Sequence, residues 1–255
     1  MIKSIHPKMK QFLIPIFLCI GVLSFAFALP AGPATVESRA ENITAPAVVE
    51  KPFDATSLLY ESLQLDSLQL TREAFDFAIK GYQTLLAQGE IQKQNLVSIV
   101  DFSLPSSKKR MFVIDIENGK LLFNTYVSHG RNSGLENATH FSNGMNSFQS
   151  SLGFYVTQKA YKGEHGYSLR LEGKEKGIND NAYDRGIVIH SARYVNEKLI
   201  SKLGYIGRSL GCPAIPVKVH KAIIEKIKDG SCLFVYGADK SYASGSSLLS
   251  SIATT

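Results

Sequence analysis

Short runs rich in apolar, β-branched and aromatic residues recur from residue 96 onward, and they constrain the fold more than any other feature of the chain. The runs cover residues 96–104, 110–116, 121–127, 151–158, 167–173, 185–191 and 231–237. Asn118 and Gly119 separate the second run from the third, and this dipeptide favours the positive φ angles of a two-residue hairpin turn. The pattern predicts a mainly antiparallel β domain with flanking helices, most simply a β-sandwich or a half-open barrel.

Amphipathic segments flank these runs. Large apolar residues recur at helical spacing over residues 71–89, where Thr71 is suited to cap the start of a helix and Gly89 to end it. Further helices are predicted over 55–63, 195–204 and 217–230. Residues 54–240 are enough for one domain with a sizeable core.

The ends of the chain have a different composition. Three lysines precede an apolar run from Phe12 to Ala28, which is the layout of a secretory signal. That run is also close to the shortest membrane span, about 17 residues, so an uncleaved anchor is the alternative. We therefore predict a signal peptide or anchor at 1–28, a flexible linker rich in Pro and Ala at 29–53, and a loose tail at 241–255.

The charge of the chain excludes one class of partner. The formal net charge is +6, and half of this excess comes from Lys3, Lys8 and Lys10 in the predicted leader. The remaining domain is only mildly basic, which is not the pattern of a nucleic-acid-binding protein. A mild positive balance suits an anionic cell-wall polymer and an ordinary soluble surface equally well.

A histidine and a cysteine stand out as candidates for chemistry. The apolar run 185–191 ends at His190, so its imidazole is expected at the end of a buried strand, where a structural histidine would be the ordinary interpretation. Cys212 follows in the stretch G-R-S-L-G-C-P-A at 207–214. A nucleophilic cysteine needs a nearby imidazole to take its proton and a third group to orient that ring, and Ser191 is adjacent to His190 for this role.

The glycines around Cys212 indicate a special backbone conformation. Gly207 and Gly211 can adopt φ angles closed to other residues, and Pro213 fixes the exit of the loop. The amides of 210–212 would then form a concave set of donors for a developing oxyanion, and a thiol in that set would be more acidic.

The stretches V-I-H-S-A at 188–192 and G-R-S-L-G-C-P-A at 207–214 resemble the active-site signature of the L,D-transpeptidases, penicillin-insensitive enzymes that cross-link peptidoglycan. The resemblance extends over about residues 58–236 and is closest to a variant branch described as a murein L,D-transpeptidase catalytic domain family. It implies a β-sandwich with the catalytic cysteine in a loop. It also implies Cys212 as nucleophile, His190 as base and Ser191 as the residue that orients the base.

The loop departs from the main branch of that family, which has Ser/Thr-His-Gly-Cys. Leu210 stands two residues before the cysteine, and Ala214 stands where Asn is frequent. The presumed base is not affected, because it corresponds to His190. We expect the residues of this loop to contact substrate, and the resemblance implies the same for a histidine in another loop. The candidates are Arg208, Ser209, Leu210, Gly211 and His129.

Less specific interpretations stand beside these. Two cysteines in an exported domain could form a disulfide between Cys212 and Cys232, although Cys232 lies in an apolar strand and fits a small core residue. Arg185 and Arg208 could each hold a substrate carboxylate or form a surface ion pair. The histidines show no ligand spacing, so neither a metal nor another cofactor is predicted.

These observations predict an exported acyl-transfer enzyme of the periplasm or the extracytoplasmic cell envelope. Its substrates would be peptidoglycan stem tetrapeptides, cross-linked by an amine or trimmed by water, with no nucleic-acid partner and a membrane tether only if the leader is retained. The alternatives are L,D-carboxypeptidase activity alone, a non-catalytic cell-wall-binding module on the same fold, and a secreted disulfide-linked adhesion domain.

Overall fold

A computed structural model describes residues 55–250 of the chain. The predicted signal peptide or anchor at 1–28 and the linker at 29–53 lie outside the described residues. Within residues 55–250, no helix is both long and apolar enough to cross a membrane.

Eight strands form one mixed sheet in the order β3-β2-β1-β8-β4-β5-β6-β7. The strands are β1 Leu96–Asp101, β2 Met111–Asp115, β3 Lys120–Thr125, β4 Gly153–Gly163, β5 Gly166–Gly173, β6 Val188–Ala192, β7 Ala214–Pro216 and β8 Cys232–Tyr236. Neighbours pair antiparallel except β1 with β8 and β6 with β7, which are parallel. All seven predicted runs contribute a strand, and only the three-residue β7 was not foreseen.

The two ends of this sheet approach each other. The amide of Ser128, just after β3, donates to the carbonyl of Ala214 in β7 at 2.8 Å. A parallel bridge joins Gly130 to Ser209 in the same region. The sheet is therefore nearly closed and barrel-like, which confirms the prediction of a mainly β domain with flanking helices and with Cys212 in a loop.

The turn between β2 and β3 is longer than predicted. Residues 116–119 form a four-residue loop in which Gly119 has a φ of +56°. The Asp115 carboxylate accepts from the backbone amide of Asn118 at 3.0 Å and also from its side-chain amide. This side-chain cap stabilises Asn118 without a positive φ, so the two-residue turn expected from Asn-Gly is not formed.

Within residues 55–250, six α-helices flank the sheet: α1 Ala55–Ser62, α2 Arg72–Ala87, α3 Glu197–Leu203, α4 His220–Ile227, α5 Lys240–Gly245 and α6 Ser247–Ser250. Thr71 caps α2, as predicted, by accepting from the Ala74 amide at 3.3 Å. The apolar face of α2 packs against β1 and β8. Gly81 allows this close approach, because a Cβ there would lie 2.0 Å from the Phe154 ring.

The predicted loose tail is wrong over residues 241–250, which form α5 and α6. Tyr242, Leu248 and Leu249 are buried, and α6 packs against α2. The Tyr242 hydroxyl donates to the buried carboxylate of Glu175 at 2.9 Å. These partners are remote in sequence, so the polar composition of the tail concealed the docking.

Candidate active site

Parallel pairing of β6 with β7 brings the two candidate residues into one region. His190 pairs with Ala214, and Cys212 precedes Ala214 by two residues, which is about 7 Å of extended chain. Helix α3 and the loop that follows it form the crossover between these parallel strands. Buried apolar residues Ile187, Val188 and Ile189 anchor the first half of β6 in the core and so fix the position of His190, the middle residue of the strand.

The His190 imidazole is buried and held in one orientation. Its exposed fraction is 5%. Nδ1 lies 3.0 Å from the carbonyl oxygen of Ser191, so Nδ1 carries the proton in the neutral ring and Nε2 keeps a lone pair. The ring of His165, at the tip of the β4–β5 hairpin, stacks on it with centroids 4.5 Å apart. Burial, aided by the charge of His165, holds the pKa of His190 below its ordinary value, although the Ser191 carbonyl opposes this.

The Cys212 thiol is unpaired and partly buried. Its S–H points to the Gly186 carbonyl, with 3.7 Å between sulfur and oxygen. Burial raises the pKa of Cys212, and the Val188 amide and the Arg185 guanidinium only partly oppose this rise. The expectation of a more acidic thiol is therefore wrong.

At rest the Cys212 thiol and the His190 imidazole are therefore both neutral. No hydrogen bond links Cys212 to His190 in the described part of the chain, and the thiol would have to rotate away from Gly186 to reach the ring. Catalytic hydrogen bonds are often long in structures without substrate and tighten when it binds. The arrangement suits proton transfer during attack, not a stored thiolate.

The loop before Cys212 is held by hydroxyl groups. Ser209 Oγ donates to the Cys212 carbonyl at 2.6 Å and accepts from the Gly211 amide at 3.1 Å. Ser150 Oγ donates to the Gly211 carbonyl at 3.1 Å. Gly211 has a φ of +129°, a conformation that favours glycine. Ser209 is buried, so it orders the loop and is not placed to contact substrate as predicted.

These bonds change the predicted set of oxyanion donors. The Gly211 amide is already satisfied by Ser209, whereas the amides of Leu210 and Cys212 have no acceptor among the described residues. The side chain of Leu210 is 58% exposed, as a contact to substrate would require. The Cys212 amide is therefore the donor closest to the sulfur that remains free for an oxyanion.

Arg185 is more deeply involved in the site than sequence reasoning expected. Its guanidinium donates to the carbonyls of Ser142 and Gln149 at 2.8 and 2.6 Å, and to two serine hydroxyls of the same segment. It is too fully bonded to hold a substrate carboxylate, but its charge lowers the pKa of Cys212 against the effect of burial. The sequence signal was its position just before the His190 strand.

His129 does not line the site. Its exposed fraction is 0%, Nδ1 accepts from Arg110 Nη2 at 2.7 Å, and Nε2 lies 3.3 Å from the Gly134 carbonyl. Burial and the Arg110 charge lower the pKa of His129 to about 4. The expected contact of His129 with substrate does not agree with this interior position. Its role is indirect, because its carbonyl accepts from the Ser209 amide at 2.9 Å and so holds the Cys212 loop.

Arg208 remains available at the surface. One of its terminal nitrogens, Nη1, donates to the carbonyls of Arg131 and Gly134, each at 3.1 Å. Its other nitrogens have no partner in the described residues, so it can still bind a carboxylate. Cys232 is fully buried in β8 and unpaired, so the disulfide with Cys212 is absent. Residues 55–250 contain no group of three His, Cys, Asp or Glu arranged to hold a metal ion.

Comparison with solved structures finds two L,D-transpeptidases and a cell shape determining protein, all of low similarity. One is from Mycobacterium smegmatis, with 13% identity, a TM-score of 0.36, and coverage of 56% of this chain and 59% of that one. Another is from Stackebrandtia nassauensis, with 16% identity, a TM-score of 0.35, and coverage of 64% and 68%. A third is the helical cell shape determining protein Pgp2 from Campylobacter jejuni, with 13% identity, a TM-score of 0.37, and coverage of 63% and 57%.

The chain thus spans less than two thirds of the Mycobacterium smegmatis and Campylobacter jejuni structures. No curated protein matches the sequence. The description of one family, the L,D-transpeptidase catalytic domain, matches residues 66–236, which is more than half of the chain and includes both His190 and Cys212. The chain therefore belongs to the L,D-transpeptidase catalytic domain family.

Proposed function

We propose that the protein is a cysteine-dependent L,D-transpeptidase of the cell envelope, with peptidoglycan stem tetrapeptides as acyl donors. One observation carries this proposal beyond family membership. The pairing of β6 with β7 puts His190 opposite Ala214, two residues after the free, partly accessible Cys212, and the His190 ring has Nδ1 at the Ser191 carbonyl and Nε2 left as a base.

In the first half-reaction the Cys212 sulfur attacks the carbonyl carbon of stem residue three. The thiol proton passes to His190 Nε2 as the carbon–sulfur bond forms, because both groups are neutral at rest. The C–N bond to residue four then breaks, and the leaving amine takes the proton from His190. The product is a thioester on Cys212 and a free terminal amino acid.

In the second half-reaction an amine of another stem attacks the thioester carbonyl. His190 accepts the proton of that amine and returns a proton to the departing sulfur, which restores the thiol. Water in place of the amine releases a tripeptide, which is the carboxypeptidase outcome. In both halves the Cys212 amide can donate to the oxyanion, and a donor of this kind contributes about 3 kcal/mol to the lowering of a barrier.

Arg185 supports the developing charge on sulfur. Hydrogen bonds to the carbonyls of Ser142 and Gln149 hold the Arg185 guanidinium in a fixed position. Its positive charge is therefore already in place when the Cys212 thiol loses its proton. A preorganised charge stabilises a transition state without reorganisation during the reaction. This effect offsets part of the burial that raises the pKa of Cys212.

The cellular location follows from the substrate. Peptidoglycan lies outside the cytoplasmic membrane, so we place the enzyme in the periplasm or the extracytoplasmic envelope. Residues 1–28 would supply export, or a tether if they are retained.

The test is intact-protein mass spectrometry after incubation with tetrapeptide muropeptides. We expect a thioester adduct with loss of residue four, followed by tripeptide or cross-linked dimer. Cys212→Ala should form no adduct, whereas Cys232→Ala, which removes the buried second cysteine, should still form it. His190→Gln should lose turnover, with His140→Gln as the control for an exposed histidine. A wild-type protein that forms neither adduct nor product would refute the proposal.

A non-catalytic wall-binding module is the second candidate. It is favoured by the thiol pointing to the Gly186 carbonyl and by burial raising the pKa of Cys212. This candidate predicts that muropeptides bind without any mass change on the protein, and that Cys212→Ala binds them as tightly as the wild type.

A further inference from the structure

A cleft of about 680 Å³ lies next to the site but does not include Cys212 or His190. Lys109, Arg193, Lys198 and Lys218 are exposed around it, and we call it the basic cleft. Its floor is apolar and includes Phe123, Ala192, Val195 and Pro216. This volume is in the range of small-ligand sites, which is roughly 300–1,000 Å³.

The four cations outnumber the acids of the cleft lining by four to one. None of their side chains forms an ion pair or a hydrogen bond within residues 55–250. The single acid in the lining is Glu197, which accepts from the Tyr126 hydroxyl at 3.4 Å. Four unpaired positive charges around an apolar floor favour a ligand that combines several carboxylates with an apolar part.

The position of the basic cleft relates it to the proposed reaction. Ala192 ends β6 and Pro216 ends β7, and each lies two residues beyond the paired His190 and Ala214. The cleft therefore starts about 7 Å past His190, on the opposite side from Cys212. From Cys212 to Pro216, where the cleft begins on β7, the extended chain runs four residues, or about 13 Å, and a stem peptide of four residues has that reach.

We propose that the basic cleft binds the acceptor stem, a short peptide with free carboxylates, and so presents its amine to the thioester on Cys212. This inference rests on the proposed transpeptidase function and assigns it a second peptide site. The donor contacts the exposed loop around Leu210, and the acceptor enters from the ends of β6 and β7. A concave cleft of this volume with cations around it fits a short peptide better than the flat surface of a lipid membrane.

The test measures binding without chemistry. The probe is a fluorescein-labelled tripeptide muropeptide, which lacks residue four and so cannot be a donor, and the protein carries Cys212→Ala. We expect saturable binding by fluorescence anisotropy that weakens as salt rises. Arg193→Glu with Lys218→Glu should weaken it at least tenfold, with an unchanged thermal midpoint as evidence of folding.

Two controls isolate the charge of the basic cleft. Lys80→Glu reverses an exposed lysine on α2, outside the cleft, and should leave the affinity unchanged. A tripeptide muropeptide with amidated carboxylates should bind at least tenfold more weakly than the free acid. Equal affinity of the two peptides, or of the wild-type cleft and its charge-reversed form, would overturn the proposal. The proposal would also be overturned if the charge-reversed form still bound the peptide but no longer bound phosphatidylglycerol vesicles. That result would indicate a membrane-binding surface.

The outcome separates the two proposals. Adduct formation by the wild type with tetrapeptide tests the donor half-reaction and does not depend on the basic cleft. An adduct with no charge-dependent tripeptide binding would reject the acceptor site alone, whereas tripeptide binding with no adduct would reject the catalytic function and leave the basic cleft as a peptide-binding site without an acceptor role.

Discussion

Acidification should destabilise this fold through one buried histidine. His129 has an exposed fraction of 0% and accepts a hydrogen bond from Arg110, a cation that is itself fully buried. Protonation of the ring would remove the acceptor at Nδ1 and place two positive charges in contact. Burial and Arg110 therefore lower the pKa of His129 to about 4, against an ordinary value of 6.5.

The sign and size of the effect follow from proton linkage. The folded protein binds this proton less readily than the unfolded chain. The contribution of neutral His129 to the free energy of unfolding is therefore fully present above pH 6.5 and is lost as the pH falls from 6.5 towards 4. At pH 5 the unfolded imidazole is almost fully protonated and the folded one only about a tenth. Linkage then predicts a loss of about 2 kcal/mol between pH 7.5 and pH 5 from this residue.

The assay is urea unfolding at pH 7.5, 6.5, 5.5 and 5.0, followed by far-UV circular dichroism because the chain has no tryptophan. His129→Gln keeps an acceptor for Arg110 and a donor for the Gly134 carbonyl but cannot be protonated. The variant should lose about 2 kcal/mol less than the wild type over this range. His140→Gln, at an exposed ring, should follow the wild type. A constant difference in unfolding free energy between the wild type and His129→Gln at all four pH values would refute the reasoning.

Three further changes test other parts of the structure. Gly211→Ala should lower the free energy of unfolding by about 1–3 kcal/mol, because φ is +129° at this position. It should also slow alkylation of the Cys212 thiol, and an unchanged urea midpoint would contradict the reasoning. Tyr242→Phe removes a hydroxyl that donates to buried Glu175, which should cost about 1–2 kcal/mol and lower the thermal midpoint by about 2–8 °C. An unaltered melt would show that this hydrogen bond does not stabilise the fold. His165→Ala uncovers the ring of His190 and removes a neighbouring charge, so the pKa of His190 should rise towards its ordinary value in an NMR titration, and a fixed pKa would argue against the stack.

Local patterns in the sequence were sufficient for the elements of this fold. Alternating and continuous apolar runs predicted seven of the eight strands. Successive side chains of a strand point to opposite faces of the sheet, so the pattern of buried residues is visible in the local sequence. The spacing of Phe75, Ile79 and Tyr82 likewise predicted the buried face of α2. Glycines on either side of Ser209 and Leu210 indicated an unusual loop, and Gly211 does adopt a positive φ.

The properties of the site depend on contacts between residues far apart in the chain. The neutral state of Cys212 and His190 results from burial, which several strands and the β4–β5 hairpin create together. The interior position of His129 depends on Arg110, and the docked tail depends on Glu175. Spacing alone cannot determine desolvation, so the sequence predicted an acidic thiol, a substrate-contacting His129 and a loose tail, and the tertiary structure decided each of them differently.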